Sequence, residues 1–506
     1  MLARLADLSF IVILIGLGAL AMLLPAAHAA AIDDHSTARA FFYSSILFLV
    51  FFAMIALATA NYRIRRQGRS YLISILMAYS VRPVLLAVPF NQAVPDTRFF
   101  NAYVEMVSSL TTTGMTLFEP ERLPPSVHLW RAFVGWLGGF FVWVTAFAVM
   151  APLNLGGFEV SSSREIGSGA TAGTLQIGRA ADASERLMRF ASRLLPIYGG
   201  LTAVLWIALL IVGDSAFVAF CHALSTMATS GISPIGGVDQ AGSGVAGEAI
   251  IMLFLLFALS RLTFAPDERA DGWRSVVRDP ELRFGLLIIL ALSTLLFFRH
   301  FAASFEDGLA VTPWEGLLGL WGAVFTVTSF LTTAGFESSH WATARAWSGL
   351  GSPGVLLLGL AVFGGGVATT AGGVKLLRVY ALYKHGLREM EKLVQPSSIG
   401  GAGQAARRFR RQGAYVAWVF FMLFAMSIAG VTLALSLVAQ VDFEEAMILT
   451  IAALSTTGPL TEVAGDAPVN LAALSDGAKA ILSAAMILGR LETLAIIALL
   501  NPEFWR

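Results

Sequence analysis

The chain has 506 residues, 57% of them hydrophobic and only 13% charged, whereas soluble domains are about 45–50% apolar and about 25% charged. A helix crossing a bilayer takes about 20 mostly apolar residues, so this composition supplies around ten crossings with apolar residues to spare. The net charge of +1 gives no sign of a basic nucleic-acid-binding domain, and a single cysteine, Cys221, rules out an intrachain disulfide and a multi-cysteine metal site.

Apolar runs suited to spanning fall at 8–26, 40–60, 71–90, 127–151, 190–212, 245–264, 284–301, 350–380, 414–440 and 474–500. The first also resembles a signal peptide, with Ala27-His28-Ala29 as a cleavage site, but its length favours a retained span. Positive charge orients the rest. Arg63, Arg65, Arg66 and Arg69 follow the second run, and Arg164, Arg179, Arg186, Arg189 and Arg193 lie between the fourth and fifth. Arg261, Arg269, Arg274, Arg278 and Arg283 follow the sixth, and the cluster from Lys375 to Arg411 follows the eighth. These four loops hold 23 of the 34 basic residues. They mark the cytoplasmic side, and with ten spans both termini are expected inside.

On the opposite side lie four segments too apolar for loops and too short to cross. The phrases that end them are Ser108-Ser109-Leu110-Thr111-Thr112-Thr113-Gly114, Leu224-Ser225-Thr226-Met227-Ala228-Thr229-Ser230-Gly231, Ser329-Phe330-Leu331-Thr332-Thr333-Ala334-Gly335 and Leu454-Ser455-Thr456-Thr457-Gly458. Their glycines are 117, 104 and 123 residues apart, which makes the repeating unit a span, a re-entrant segment and a second span. Irregular backbone at membrane depth survives where it is buried in protein or lines a water-filled path. Four such segments can surround an axis, helix C-termini inward, and present rings of oxygens that replace a cation's water. Glycine supplies positive φ, letting carbonyls converge without a side chain in the path. Single copies of such a phrase also read as ordinary turns or tight helix contacts. The expected fold is an all-α polytopic membrane protein: an N-terminal pair of spans (1–69) and four pore repeats (70–160, 161–270, 271–400, 401–506) in pseudo-four-fold arrangement.

The eighth run is interrupted by Gly364-Gly365-Gly366-Val367-Ala368-Thr369-Thr370-Ala371-Gly372-Gly373, followed by Val374 and Lys375. Each glycine weakens a helix by roughly 1 kcal/mol relative to Ala. Small-residue helix packing and a flexible plug both fit this phrase. A nucleotide loop does not, because Val374 separates Gly373 from Lys375 and Leu376 follows it. Arg490 sits in the last run, where a charge costs at least ~2.5–3.5 kcal/mol without water or a partner. Snorkelling or an ion pair is one reading of it, with Glu492 nearby but on a different helix face. Glu105, Glu315, Glu444 and Glu445 lie in or just before the re-entrant segments, as helix-dipole partners or cation attractors.

These residues resemble the Trk/Ktr/HKT superfamily of potassium transporters, most closely the bacterial TrkH and KtrB type. The resemblance covers nearly the whole chain. Besides the four phrases it rests on Trp136-Leu137-Gly138-Gly139, the Gly364–Lys375 stretch, Leu488-Gly489-Arg490-Leu491-Glu492 and Pro502-Glu503-Phe504-Trp505-Arg506; the extra N-terminal pair of spans points to the TrkH branch. The resemblance implies a single K⁺ filter lined by Thr112, Thr113 and Gly114, by Thr229, Ser230 and Gly231, by Thr333, Ala334 and Gly335, and by Thr456, Thr457 and Gly458. Backbone oxygens would be the main ligands. Plant members with Ser at the first filter glycine transport Na⁺, so four glycines favour K⁺, although Ser230, Ala334 and the Thr456-Thr457 pair depart from the common pattern. It further implies an intramembrane gate loop of Gly364, Gly365, Gly366, Thr369, Thr370, Gly372 and Gly373, tethered by Lys375, with Arg490 as a pore-facing barrier.

By the same resemblance the chain is a homodimer in the bacterial inner membrane, with a cytoplasmic RCK-type subunit that carries the regulatory nucleotide; this chain binds no cofactor beyond K⁺. An enzyme is not expected: no His-Glu-x-x-His pattern occurs and the seven histidines are scattered singly. The alternatives are a Na⁺-permeable or cation-coupled symporter of the same fold, a secondary transporter of an organic solute, which favours paired repeats over four phrases, and a non-conducting receptor or assembly protein.

Overall fold

The computed structural model describes residues 10–59, 67–151, 156–158, 160, 183–261, 279–307, 313–348, 353–395, 411–439, 441–465 and 467–492. The described residues form helices and short turns without a strand. Long apolar runs fold this way in lipid because a helix satisfies its own backbone polar groups.

The N-terminal pair comprises α1 (Phe10–Ala21) and α2 (Leu23–Ala31), which together make one span, and α3 (His35–Thr59). Next come α4 (Gln67–Ser80) and α5 (Arg82–Ala93), the short α6 (Phe99–Leu110) and α7 (Pro125–Thr145), extended by a π-helical turn at Ala146–Met150. The following unit repeats the plan with α8 (Ala183–Val212), α9 (Ala216–Ala228) and α10 (Gly244–Leu255). The third has α11 (Pro280–Asp307), α12 (Pro313–Leu331), α13 (Trp341–Ser348), α14 (Pro353–Phe363) and α15 (Leu376–Val394). The fourth has α16 (Arg411–Val438), α17 (Phe443–Leu454), α18 (Leu460–Val463) and α19 (Asp476–Leu491).

Eight helical segments among the described residues are long and apolar enough to cross a membrane, and seven coincide with expected spans. The eighth, Trp314–Leu331, belongs to α12, which ends at the third phrase. Length and apolarity therefore do not separate the helix expected to be re-entrant from the spans. The expected run 245–264 is α10 followed by a 3₁₀ turn at Leu256–Leu259. The expected single span 350–380 is two helices, α14 and α15, with the glycine-rich loop between them. α4 begins at Gln67, just ahead of the expected boundary at 70; at the boundary near 160 residue 160 is the last one described before 183, and the boundaries near 270 and 400 and the C-terminal Pro502–Arg506 phrase lie outside the described residues.

The surface carries apolar side chains that a soluble protein buries, around a core that is itself mainly apolar. Leu57 on α3, Ile211 on α8 and Leu437 on α16 are exposed, as a lipid-facing surface requires, while the hydroxyls of Thr111, Thr112, Thr113, Ser225, Ser230, Thr332, Thr333, Ser455, Thr456 and Thr457 are fully buried. Buried hydroxyls at membrane depth need partners, and the site supplies them.

Candidate ion pathway and gate

α6, α9, α12 and α17 each stop at their Ser/Thr phrase with the same backbone turn. The residue two places before the glycine donates to the carbonyl three residues back: Thr112 to Ser109, Thr229 to Thr226, Thr333 to Phe330 and Thr456 to Ala453. The next residue reaches five back: Thr113 to Ser108, Ser230 to Ser225, Ala334 to Ser329 and Thr457 to Ala452. To make this turn the first threonine adopts a left-handed backbone in all four phrases, with φ of 54° at Thr112, 48° at Thr229, 58° at Thr333 and 54° at Thr456. Four L-residues in a conformation that disfavours them, at one register, make the local four-fold equivalence explicit.

The phrases close into a ring in chain order. A Cβ on Gly114 would lie 1.8 Å from the Ser230 carbonyl oxygen, and one on Gly231 2.4 Å from that of Ala334. One on Gly335 would meet Pro459 Cγ at 2.8 Å, and one on Gly458 the Met115 nitrogen at 2.1 Å. Each glycine thus lies against the phrase of the next repeat, and the fourth returns to the first. Gly114, Gly231 and Gly335 have the expected positive φ, of 75°, 66° and 80°. Gly458 does not: Pro459 leads at once into α18, and the Gly458 N–H donates to the Thr113 carbonyl at 2.6 Å.

Side chains at the second position turn away from the ring. The Thr113 hydroxyl bonds Thr111 at 2.8 Å, that of Ser230 bonds Ser225 at 3.0 Å, and that of Thr457 accepts from Ser455 at 3.1 Å. Ala334 needs no such partner. The first-position threonines instead meet the glycine-rich loop and Arg490. Arg490 Nη2 donates to Thr112 Oγ1, Thr229 Oγ1 donates to Thr370 Oγ1 at 3.0 Å, and the Gly372 N–H donates to Thr333 Oγ1 at 2.8 Å. Thr456 Oγ1 makes no hydrogen bond and lies 2.4 Å from where a Gly372 Cβ would stand.

That loop leaves α14 through Gly364 (φ 70°) and enters α15 through Gly373 (φ 75°), Val374 and Lys375 (φ 84°). The Val374, Lys375 and Leu376 N–H groups donate back to Val362, Phe363 and Gly365, each at 2.9 Å, so the loop is cinched at its neck. Thr369 Oγ1 donates to the Gly366 carbonyl at 2.7 Å, and Lys375 Nζ donates to the Ala371 carbonyl. Arg490 is buried and its Nη1 donates to the Thr370 carbonyl at 2.7 Å. A cavity of about 30 Å³ remains among Tyr79, Thr145, Thr369, Gly372, Lys375 and Arg490, with room for about two waters. Glu492 makes no ion pair with Arg490. α19 ends at Leu491, Glu492 turns to φ 60°, and its carboxylate pairs with buried Arg378 at 2.7 Å beneath the Phe420 ring.

Among the named acidic residues, Glu315, Glu444 and Glu445 occupy first helical turns, where they complement the dipole. Glu105 is inside α6, ion-paired with Arg131 at 2.6 Å and accepting from the Leu117 N–H at 3.1 Å, which fixes the chain just after the first phrase. Sequence reasoning passed over Glu248. This fully buried carboxylate accepts from Trp321 Nε1 (2.7 Å), Ser338 Oγ (2.7 Å), and the N–H (2.7 Å) and Oγ (2.8 Å) of Ser339, bracing the chain after the third phrase. A carboxylate in an apolar run was the available signal. In the turns beyond the ring, Asp239, Glu337 and Glu462 act on one another electrostatically. Burial, then Asp239 and Glu462, push half-buried Glu337 up to about 7, opposed by Arg345.

A family model described as TrkH, cation transport protein, matches residues 274–504. The chain is 32% identical over 456 residues to the Trk system potassium uptake protein TrkH of Halomonas elongata, covering 86% of this chain and 84% of that one. It belongs to the TrkH family of cation transport proteins. The TrkH of Salmonella typhimurium is 30% identical over 448 residues, 87% of this chain and 86% of that one, and Escherichia coli K12 TrkG is 28% identical over 92% of each. The crystal structure of the potassium transporter TrkH from Vibrio parahaemolyticus matches the full length of both chains with a TM-score of 0.80 and 25% identity. This places the chain among membrane transporters rather than enzymes and agrees with its all-helical architecture.

Proposed function

We propose that this chain is the membrane subunit of a potassium uptake system, passing K⁺ through the ring of four Ser/Thr-Gly phrases, with residues 364–375 and Arg490 as its gate. The relatives named above are potassium uptake proteins. The observation that carries the reading is the match between ring and plug. Three first-position threonine hydroxyls are engaged by the loop or Arg490, and the fourth lies against Gly372. A cation leaving the ring inward meets a guanidinium and a cinched loop, so the described conformation is closed.

Opening then requires Arg490 and the loop to release Thr112, Thr229 and Thr333. No segment described here forms a nucleotide-binding domain, which fits regulation by a separate cytoplasmic RCK-type chain acting on a homodimer. The test is ⁸⁶Rb⁺ uptake into proteoliposomes holding the purified protein, with and without a candidate regulatory subunit and nucleotide. Uptake competed by K⁺ more strongly than by Na⁺ is expected. Absence of alkali-cation flux under every condition sinks the proposal, and equal competition by Na⁺ points to the Na⁺-permeable alternative.

A further inference from the structure

The gate loop has a second set of attachments, remote from the ring. Its leading residues lie against the 3₁₀ turn Leu256–Leu259, where the Gly366 N–H donates to the Ala258 carbonyl at 2.8 Å and a Cβ on Gly366 would come within 2.7 Å of the Leu259 backbone. The next N–H, that of Val367, donates to Glu281 Oε1 at 3.2 Å. Glu281 is fully buried in the first turn of α11, and its Oε2 accepts from the Arg261 N–H at 3.4 Å. Asp279 holds the same corner together: it accepts from the Glu281 N–H at 3.3 Å and pairs with the Ser260 hydroxyl. Three stretches of chain, the end of the second repeat, the start of the third and the gate loop, therefore meet on one carboxylate.

A neutral acceptor would serve one N–H as well. A buried carboxyl accepting from two segments penalises the loss of either, because a buried acceptor oxygen is then left short of a partner. Withdrawing the loop removes the Val367 donor; moving the 256–261 turn removes the Arg261 donor. The loop's position and the position of that turn are thereby linked.

We infer that Glu281 is a positioning residue that clasps the gate loop shut, and that displacement of residues 258–261 or 279–281 is the route by which movement at the inner face reaches the loop. The inference rests on the assignment of 364–375 as the gate. Its test compares basal ⁸⁶Rb⁺ uptake, without any regulatory subunit, in proteoliposomes of wild type, Glu281→Ala, Glu281→Gln, a chain lacking residues 367–371, Arg490→Ala, and Glu281→Ala combined with the deletion.

Glu281→Ala is expected to raise basal uptake about tenfold, the scale of one lost hydrogen bond. Glu281→Gln should fall between it and wild type, because the amide oxygen still accepts from Val367. Glu281→Ala should not add to the deletion, which removes the group that Glu281 holds, and that non-additivity is what a merely structural role does not produce. Wild-type uptake in both Glu281 variants, beside leak through the deletion or Arg490→Ala, overturns the clasp and leaves the gate standing. An increase that adds fully to the deletion also overturns the clasp. Wild-type uptake in every variant overturns the gate assignment itself. Should Glu281→Ala not fold, Glu281→Gln against wild type decides.

Discussion

Thr112, Thr229, Thr333 and Thr456 show how a single residue type serves two demands at once. Their left-handed backbones end α6, α9, α12 and α17, and their hydroxyls face the glycine-rich loop or Arg490 instead of the lipid or the solvent. Glycine would adopt that backbone at less cost but would leave nothing for the loop and Arg490 to grip. On the other side of the ring, Glu337 makes a prediction of its own. With its carboxyl pushed up to about 7, chiefly by burial and then by Asp239 and Glu462, it is charged above that pH and neutral below it. A charged Glu337 draws cations toward the ring, so initial ⁸⁶Rb⁺ uptake should fall as external pH drops through about 7. Glu337→Gln should hold uptake at the low-pH level across the range. A variant that keeps the wild-type pH profile removes Glu337 from this role.

At the scale of elements, the glycine-rich loop shows what the sequence discloses and what it hides. Five glycines between 364 and 373 announce a break in the eighth run, and α14 does end at Phe363. Nothing in the run says that the break folds under the ring, because Thr229, Thr333 and Arg490, which hold it there, come from three other elements. Glu281 was illegible for the same reason: one acidic residue at a helix start reads as dipole compensation until Val367 is seen beside it. The pairing of Glu492 with Arg378 was hidden as well, since it depends on where α19 ends. On the proposed gating, the contacts of the loop with the ring and Arg490 predict that deleting residues 367–371, or replacing Arg490 with Ala, raises basal uptake by roughly tenfold or more, as the loss of charge-assisted bonds implies. Because both act on the same contacts, the combined variant should leak no more than the deletion alone. Wild-type flux in both single variants excludes this gate.

For the whole molecule, the ring is the level at which the repeats become one object. The spacing of the four glycines was readable along the chain, but their cyclic order was not: only the folded protein shows Gly114 against Ser230, Gly231 against Ala334, Gly335 against Pro459 and Gly458 against Met115. Nor did the repeat disclose that the fourth member differs, through Pro459 and α18. The seams predict unequal consequences for equal substitutions. An added methyl at Gly114 combines positive φ with a backbone oxygen at 1.8 Å, which forces the Ser230 carbonyl, a ring oxygen, to move. At Gly458 the backbone conformation tolerates a side chain, but the Met115 nitrogen stands at 2.1 Å. At Gly335, where φ is 80°, an added methyl strains the backbone, but the nearest atoms belong to the Pro459 side chain at 2.8 Å, so no neighbouring ring carbonyl is struck. K⁺-competed ⁸⁶Rb⁺ uptake in a background that lacks residues 367–371 isolates conduction from gating. There Gly114→Ala should lose the most uptake and Gly335→Ala the least, with Gly231→Ala and Gly458→Ala between them. Equal losses at all four positions mean that the ring responds as a unit and that contacts at individual seams do not set its geometry.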